Sequence, residues 1–106
     1  MSASKAKGSA WERRIVDYLV ANGFRYAERR ALEGKNDRGD VAGIPGVVIE
    51  AKNAKRVELA AWMDEAIAEK GNAGAQIGVV VFPRRNCATG RAFVVMELDQ
   101  FIEVIK

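Results

Sequence analysis

The chain has 106 residues, of which 49% are hydrophobic and 29% charged, with a formal net charge of +3 and a pI of 9.2. This length and balance predict one globular domain with a single hydrophobic core, and a mildly basic surface that permits nucleic-acid binding. With no histidine and one cysteine, Cys87, the chain cannot build a Ser-His-Asp triad, a histidine–metal site, a nuclease with a histidine base, a zinc cluster or an internal disulfide.

The first third of the chain predicts a basic arm, a helix and a strand. Residues 1–8 are small, polar and basic and lack the apolar stretch of a signal peptide, so we expect a flexible arm on a cytoplasmic protein, with 9–106 forming the single domain. Apolar residues from Trp11 to Leu19 recur at helical spacing, which predicts a helix over Ser9–Ala21. Phe24–Arg30 alternates apolar and charged residues, as in a strand with one exposed face.

The rest of the chain adds strands and two more helices. Because strands separated by a helix imply a parallel pairing, the order αβββαββα predicts an α/β fold with a mixed β-sheet of about five strands flanked by helices. The predicted elements are a hairpin over 40–52 around Pro45-Gly46, a helix over 57–70, strands over 76–82 and 93–96, and a short helix from Asp99 to Ile105.

The hairpin holds the most informative residues. Side chains alternate along a strand, so Glu50 and Lys52 point the same way. They follow apolar residues, and burying a charge in such surroundings is costly, which indicates a functional role. The turn brings Asp40 back beside the end of the second strand, where two carboxylates repel unless a cation or a shared proton lies between them. Since Mg²⁺ takes oxygen ligands, the hairpin predicts a magnesium site.

Each of these residues also has an ordinary structural interpretation. Glu-x-Lys is a weak motif, and a second copy, Glu33-Gly-Lys35, lies in a polar loop. The residues at the strand end could lie in water, and Asp40 could be a turn residue. For Glu12, a third acidic candidate, Ser9-x-x-Glu12 matches a capping box, yet Glu12 also borders the buried stripe and can reach toward the sheet.

Three motifs together resemble the PD-(D/E)xK nuclease superfamily, and most closely the archaeal-type Holliday-junction resolvases and their phage relatives. They are Lys7-Gly-Ser-Ala-Trp-Glu12-Arg13, Gly39-Asp40 and Glu50-Ala-Lys52, spread over residues 7–53, with Gly39 in place of the proline of the PD pair. The resemblance implies a restriction-endonuclease-like core. It also implies that the catalytic residues are Glu12, Asp40, Glu50 and Lys52, and that Mg²⁺, with Mn²⁺ as a substitute, is held by Asp40, Glu50, Glu12 and the Ala51 carbonyl.

We therefore predict a metal-dependent, structure-selective DNA endonuclease that hydrolyses phosphodiester bonds by in-line attack of an activated water, with Lys52 orienting or deprotonating that water. The best match is a Holliday-junction resolvase in recombination or repair. The alternatives are a flap- or nick-directed repair or replication nuclease of the same superfamily, and a non-catalytic module that binds branched DNA.

The predicted partners are branched double-stranded DNA, namely a four-way junction, and a second copy of the chain in a homodimer. For a phage-encoded chain, the location would be the host cytoplasm. Candidate dimer contacts are Trp62, Met63 and the apolar last strand or helix, although a core position is the favoured interpretation of Trp62. The predicted DNA contacts are Lys7, Ser9, Arg13, Arg29, Arg30, Lys35, Arg38, Lys55 and Arg56.

Overall fold

The computed structural model describes residues 3–31 and 34–106. Within these ranges, three helices and five strands follow one another in the predicted order αβββαββα, which confirms the α/β class. None of the described helices is long and apolar enough to cross a membrane. The elements are α1 (Ala3–Ala21), β1 (Glu28–Arg29), β2 (Val41–Ala42), β3 (Val47–Ala51), α2 (Leu59–Ala73), β4 (Ile77–Phe82), β5 (Phe93–Val95) and α3 (Leu98–Ile105), with single turns of 3-10 helix at Gly34–Asn36 and Thr89–Arg91.

The described strands form two small sheets instead of one sheet of five. In the larger sheet β4 lies in the centre, parallel to β3 on one side and antiparallel to β5 on the other. β1 and β2 form a separate antiparallel ribbon. The predicted mixed sheet is therefore confirmed for three strands. The predicted hairpin is formed only in part, because β2 pairs with β1. The residue before β2 is joined to β3 by a backbone hydrogen bond, from Asp40 N to Ile49 O at 2.9 Å.

The central strand is apolar on both sides because a helix covers each face of the larger sheet. On one face Trp11 and Ile15 of α1 pack against a cluster that includes Val79 and Val81, and the Trp11 indole donates a hydrogen bond to Val81 O at 3.1 Å. On the other face, α2 packs against Val80 of β4. Strands covered on both faces read as continuous hydrophobic runs, as β4 does.

Trp62 and Met63 of α2 belong to this second cluster and are buried. They are therefore core residues, which confirms the favoured interpretation of Trp62, and neither of them is available for the candidate dimer contact. The helix can approach the sheet closely because position 78 is glycine: a Cβ on Gly78 would lie 2.9 Å from the backbone oxygen of Ala66.

The first helix begins earlier than predicted. It starts at Ala3, so the prediction of a flexible arm over residues 1–8 is wrong for 3–8, while residues 1 and 2 lie outside the described part. Alanine and lysine are good helix formers, and each residue added to an existing helix gains a backbone hydrogen bond. Because Ser9 lies inside the helix, the predicted capping box with Glu12 is also wrong.

Other boundaries shift by less. The strand predicted over Phe24–Arg30 contracts to Glu28–Arg29, because the chain first makes a turn closed by a hydrogen bond from Ala27 N to Phe24 O at 3.0 Å. The helix predicted to end at Lys70 continues to Ala73 and ends at Gly74, whose φ of 63° is left-handed. Glycine reaches this conformation without a Cβ penalty.

A glutamine side chain completes the sheet beside β5. The pairing of β5 ends at Val80, so the next outward-facing peptide groups of β4, those of Gly78, have no strand partner. Gln100 of α3 fills this position: its Oε1 accepts from Gly78 N at 2.6 Å and its Nε2 donates to Gly78 O at 3.1 Å. Gln100 is the buried residue of α3.

Replacing Gln100 with leucine should destabilise the protein. Gln100→Leu keeps the side chain's approximate volume but leaves the buried N–H and C=O of Gly78 unpaired, which should lower the free energy of unfolding by about 2–4 kcal/mol. Urea denaturation measures the change. Glu103→Leu, at an exposed position of the same helix, is the matched control and should change stability little. Equal effects of the two substitutions would contradict this role of Gln100.

Candidate metal centre at the end of strand β3

Asp40 is held against the end of β3 by its own carboxylate and by the glycine before it. The Asp40 Oδ2 accepts a hydrogen bond from Ala51 N at 2.7 Å, so the predicted convergence of Asp40 on the end of this strand is confirmed. Gly39 has a φ of +97°, and a Cβ there would lie 2.9 Å from Val48 Cγ1 and 3.0 Å from Ile49 O. Proline, whose ring fixes φ near −65°, cannot adopt this backbone.

Glu50 is the most deeply buried carboxyl of the site, with 5% of its surface exposed. Burial, then a hydrogen bond with Asp40 and the Asp40 charge, and then a hydrogen bond and charge from Glu69, raise the pKa of Glu50 to about 12. A carboxyl in these surroundings keeps its proton at neutral pH and shares it with its neighbours unless a cation takes the proton's place. The strand end is thus a buried position that strongly resists additional negative charge.

Two further glutamates, which the sequence analysis missed, come from α2. Glu65 and Glu69 each place a carboxylate oxygen near one of Glu50, and the three oxygens lie within 4.8 Å of one another. Glu69 is buried and lies at the i+7 position from Trp62, on the apolar stripe of the helix. An acidic residue within such a stripe was the available sequence signal, since ionised carboxylates are rarely buried without a partner.

The chemistry of this group fits a hard divalent cation. All the donors are carboxylate oxygens, which Mg²⁺ and Mn²⁺ prefer. The Glu69 Oε1 is buried and has no hydrogen-bond partner among the described residues. Burial, offset in part by a hydrogen bond with Glu50, and the charges of Asp37, Asp40 and Glu65 raise the pKa of Glu69 to about 7. A bound cation would satisfy the unpartnered oxygen and remove the repulsion among the carboxylates.

Lys52 lies beside the carboxylates, as predicted, and its pKa is raised above the ordinary value. Its Nζ is 2.6 Å from Glu65 Oε2 and 3.8 Å from Glu50 Oε2. Burial alone would lower its pKa, yet the hydrogen bond to Glu65 and the charges of Glu50, Glu65 and Asp40 together raise the pKa of Lys52. The lysine is therefore an ammonium group that donates hydrogen bonds, and the surroundings oppose the lowered pKa that deprotonating a water would need.

Glu12 lies near the site but is held by an arginine. Its Oε1 is 3.1 Å from Arg29 Nη2, and the same guanidinium donates to Ser9 Oγ at 3.1 Å. Burial and the charge of Asp40 raise the pKa of Glu12, while Arg29 opposes the shift. Arg29, a predicted DNA contact, thus holds Glu12 in place and also donates to Ser9, a second predicted DNA contact.

The other predicted DNA contacts are spread over the surface. Lys7 and Lys55 line one groove beyond the ends of β3 and β4. Arg30 is half-buried, and its Nε has no hydrogen-bond partner among the described residues. The remaining four are exposed: Arg13, Lys35, Arg38 and Arg56.

No family model, curated protein or solved structure matches this chain. The resemblance to the PD-(D/E)xK nucleases consequently rests on the three sequence motifs. The geometry adds a separate observation, since it places two of those motifs, Gly39-Asp40 and Glu50-Ala-Lys52, against each other and Glu12 within reach of the Asp40 charge.

Adding a methyl group at Gly39 should disrupt the seating of Asp40. Gly39→Ala combines an unfavourable positive φ with contacts to Val48 and to the backbone of Ile49, whereas Gly23→Ala meets the positive φ alone, since a Cβ on Gly23 (φ +101°) has nothing within 4 Å. We expect Gly39→Ala to lower the free energy of unfolding by about 1–3 kcal/mol more than Gly23→Ala. Urea denaturation of the two variants tests this, and equal losses would contradict it.

The metal-free protein should lose stability as the pH rises from 4.5 toward 7. The pKa of Glu69 is raised from 4.5 to about 7 and that of Glu50 further, so in this window the folded protein binds more protons than the unfolded chain. The stabilisation that these two carboxyls contribute is fully present below pH 4.5. It is lost as the pH rises through the pKa that each carboxyl has in the folded protein.

Urea denaturation with EDTA at several pH values in this window tests the prediction, with the double variant Glu50→Gln/Glu69→Gln as the comparison. The double variant cannot titrate at these two positions, so its free energy of unfolding should depend less on pH. A wild-type slope that is absent, or that the double variant retains in full, would show that these carboxyls do not titrate as inferred.

Proposed function

We propose that this protein is a metal-dependent endonuclease that hydrolyses phosphodiester bonds in DNA. The observation that carries the proposal is the convergence of Asp40, Glu50 and Lys52 at the end of β3, with two carboxylates from α2 completing the group. A cluster that is mostly acidic and partly buried has no stabilising role in a simple core, because each ionised carboxyl there repels the next. The cluster is placed so that a divalent cation and a phosphate of DNA could bind there together.

The candidate ligands are Asp40, Glu50 and Glu69, with Glu65 at the exposed side and the Ala51 carbonyl as the resemblance implies. A divalent cation bound there would neutralise charge that develops on the phosphate and would favour ionisation of a water. The carboxylates of this set come from different elements, β3, the turn before β2, and α2, so the folded core determines their separation.

The residues around the cluster have distinct tasks in the proposed reaction. The ammonium of Lys52 would orient the attacking water and donate to a phosphate oxygen as the water oxygen bonds to phosphorus and the bond to the leaving oxygen breaks. The proton lost by the attacking water would pass to solvent, and the leaving oxygen would take up a proton from solvent. Glu65 holds the lysine in position through its hydrogen bond of 2.6 Å. Glu12, held by Arg29, borders the same site and contributes negative charge beside Asp40.

Within this class, we propose a structure-selective enzyme of the Holliday-junction resolvase type that acts as a homodimer. The three motifs support the resolvase assignment. The exposed apolar residues at the end of the chain fit a dimer contact; they include Val94, Leu98, Phe101, Val104 and Ile105. A flap- or nick-directed nuclease and a non-catalytic branched-DNA-binding module are the competing assignments.

Substitutions in the cluster should abolish cleavage and spare DNA binding. Asp40→Asn and Lys52→Ala should each reduce Mg²⁺-dependent cleavage of a synthetic four-way junction by about a hundredfold or more, because each removes charge placed at the reacting phosphate. Gel assays of cleavage, and binding measured with EDTA present, separate the two effects. Glu97→Gln, at an exposed position outside the cluster, is the control and should cut at the parental rate.

The same assay separates the competing assignments. Comparing junction, flap, nicked and linear duplex at equal concentration identifies the preferred substrate, and a preference for flap or nick would replace the resolvase assignment. If both substituted proteins cut at the parental rate, the catalytic assignment is wrong. Binding to branched DNA with no product on any substrate would favour the non-catalytic module.

Direct cation binding provides a test that does not depend on cleavage. Mn²⁺ should raise the thermal midpoint of the wild-type protein, because a ligand that binds only the folded state stabilises it. Glu69→Gln should reduce this shift, since it removes one of the candidate ligand carboxylates. Glu103→Gln, on the exposed surface of α3, should leave the shift unchanged. A Mn²⁺ shift that is absent, or equal in all three proteins, would contradict the metal site.

A further inference from the structure

A second concave site opens next to the carboxylates, at the ends where β3 and β4 leave the sheet. It is a groove of about 690 Å³, lined by the segments that follow these two parallel strands, by the start of α1 and by β5. After β3, the lining of the groove begins at Asn53, the residue that follows Lys52 in the chain. Because β3 and β4 are parallel, both connecting segments leave at the same edge of the sheet.

The groove carries cationic side chains and, among its described lining residues, no acidic one. The five cations come from three separate parts of the chain: Lys7, Arg14, Lys55, Arg84 and Arg85. Arg14 is fixed there, because its Nε donates to Thr89 Oγ1 at 3.2 Å and its guanidinium lies 5.0 Å from the centre of the Trp11 ring. Convergence of five positive charges on one concavity favours a polyanion, and a chain of phosphates is the simplest one.

The wall of the groove adds an aromatic surface. Phe82 and Phe93 line it with ring centres 5.3 Å apart, and 45% of the Phe93 surface is exposed. Phe82 is supported from behind by Trp62, at 5.6 Å between ring centres. An exposed phenylalanine held on a rigid aromatic pair, beside arginines, is the arrangement on which unpaired bases stack in proteins that bind single strands.

We propose that this groove binds a single-stranded segment of nucleic acid, with its phosphates on the cations and a base stacked on Phe93. A duplex would satisfy the cations but would leave Phe93 without a partner, because paired bases are stacked within the helix. This inference rests on the proposed function in one respect: the strand in the groove would belong to the branched DNA that the carboxylate cluster cuts.

The test compares two labelled single strands of about 12 nucleotides, a length within the usual site sizes. One is oligothymidylate, and the other is an abasic strand with the same phosphates. Fluorescence anisotropy with EDTA present gives both affinities without cleavage. Wild-type protein should bind oligothymidylate at least about fivefold more tightly, because stacking of one base contributes on the order of 1 kcal/mol or more.

Two substitutions separate the aromatic from the ionic contribution. Phe93→Leu keeps an apolar side chain on β5 and should abolish the preference for oligothymidylate while leaving abasic binding intact. Arg84→Ala/Arg85→Ala should weaken binding of both strands and reduce the salt dependence of log K by about 1.4, for two lost phosphate contacts. The control Arg25→Ala/Lys106→Ala removes two exposed cations outside the groove and should leave both affinities unchanged.

The wild-type comparison alone can overturn the inference, whatever the variants do to folding. Equal affinity for the two strands would show that no base stacks in the groove, and an equal loss in the control would show that the charge effect is not local. These outcomes differ from failure of the proposed function, which is read from Asp40→Asn and Lys52→Ala in the cleavage assay. If the protein prefers oligothymidylate but cuts no substrate, the inference about the groove stands and the proposed endonuclease function is wrong.

Discussion

The carboxyl of Glu50 is buried beside the carboxyls of Asp40, Glu65 and Glu69, and the local structure is arranged around that unfavourable contact. An isolated charge at such a depth would be strongly destabilising, so the group must hold a proton or a cation. The surrounding structure makes the position tolerable in two ways. The Ala51 amide donates to Asp40 at 2.7 Å, and the Lys52 ammonium lies within 4 Å of two glutamates.

The two helices that cover the sheet make this arrangement rigid. α2 packs its apolar side chains against β4 and, on the same face, brings Glu65 and Glu69 over the end of β3. Gly78 permits the close approach of this helix to the sheet. The distance between the strand carboxyl and the helix carboxyls is thus determined by core packing, which resists small displacements. Substitutions far from the carboxylates can therefore alter the site through the depth at which α2 sits.

Local patterns in the sequence predicted the order of elements and three members of the site. Alternation and the Pro45-Gly46 turn were sufficient to place Asp40 beside Glu50 and Lys52, because these residues are close along the chain. Glu65 and Glu69 were missed, since their approach to β3 depends on how a distant helix packs. The contribution of Glu65 to the raised pKa of Lys52 was missed for the same reason.

The errors in the remaining elements have a similar origin. Strand pairing depends on contacts between distant residues, so the division of five strands into a sheet and a ribbon could not be read from alternation alone. The start of α1 at Ala3 reflects helix propagation through residues with no apolar periodicity. The capping motif at Ser9 was a reasonable local signal, but the longer helix made it irrelevant.

The pairing of Gln100 with Gly78 also affects how readily the folded protein aggregates in a crowded solution. An uncovered stretch of strand offers its peptide groups to any other extended segment, and a side-chain amide that imitates a peptide group closes this stretch of β4 to such pairing. The amide comes from the helix that ends the chain, most of whose apolar side chains remain exposed. Detachment of α3 would therefore expose the unpaired peptide groups of β4 and free an apolar helix at the same time. The last helix thus protects the protein against aggregation.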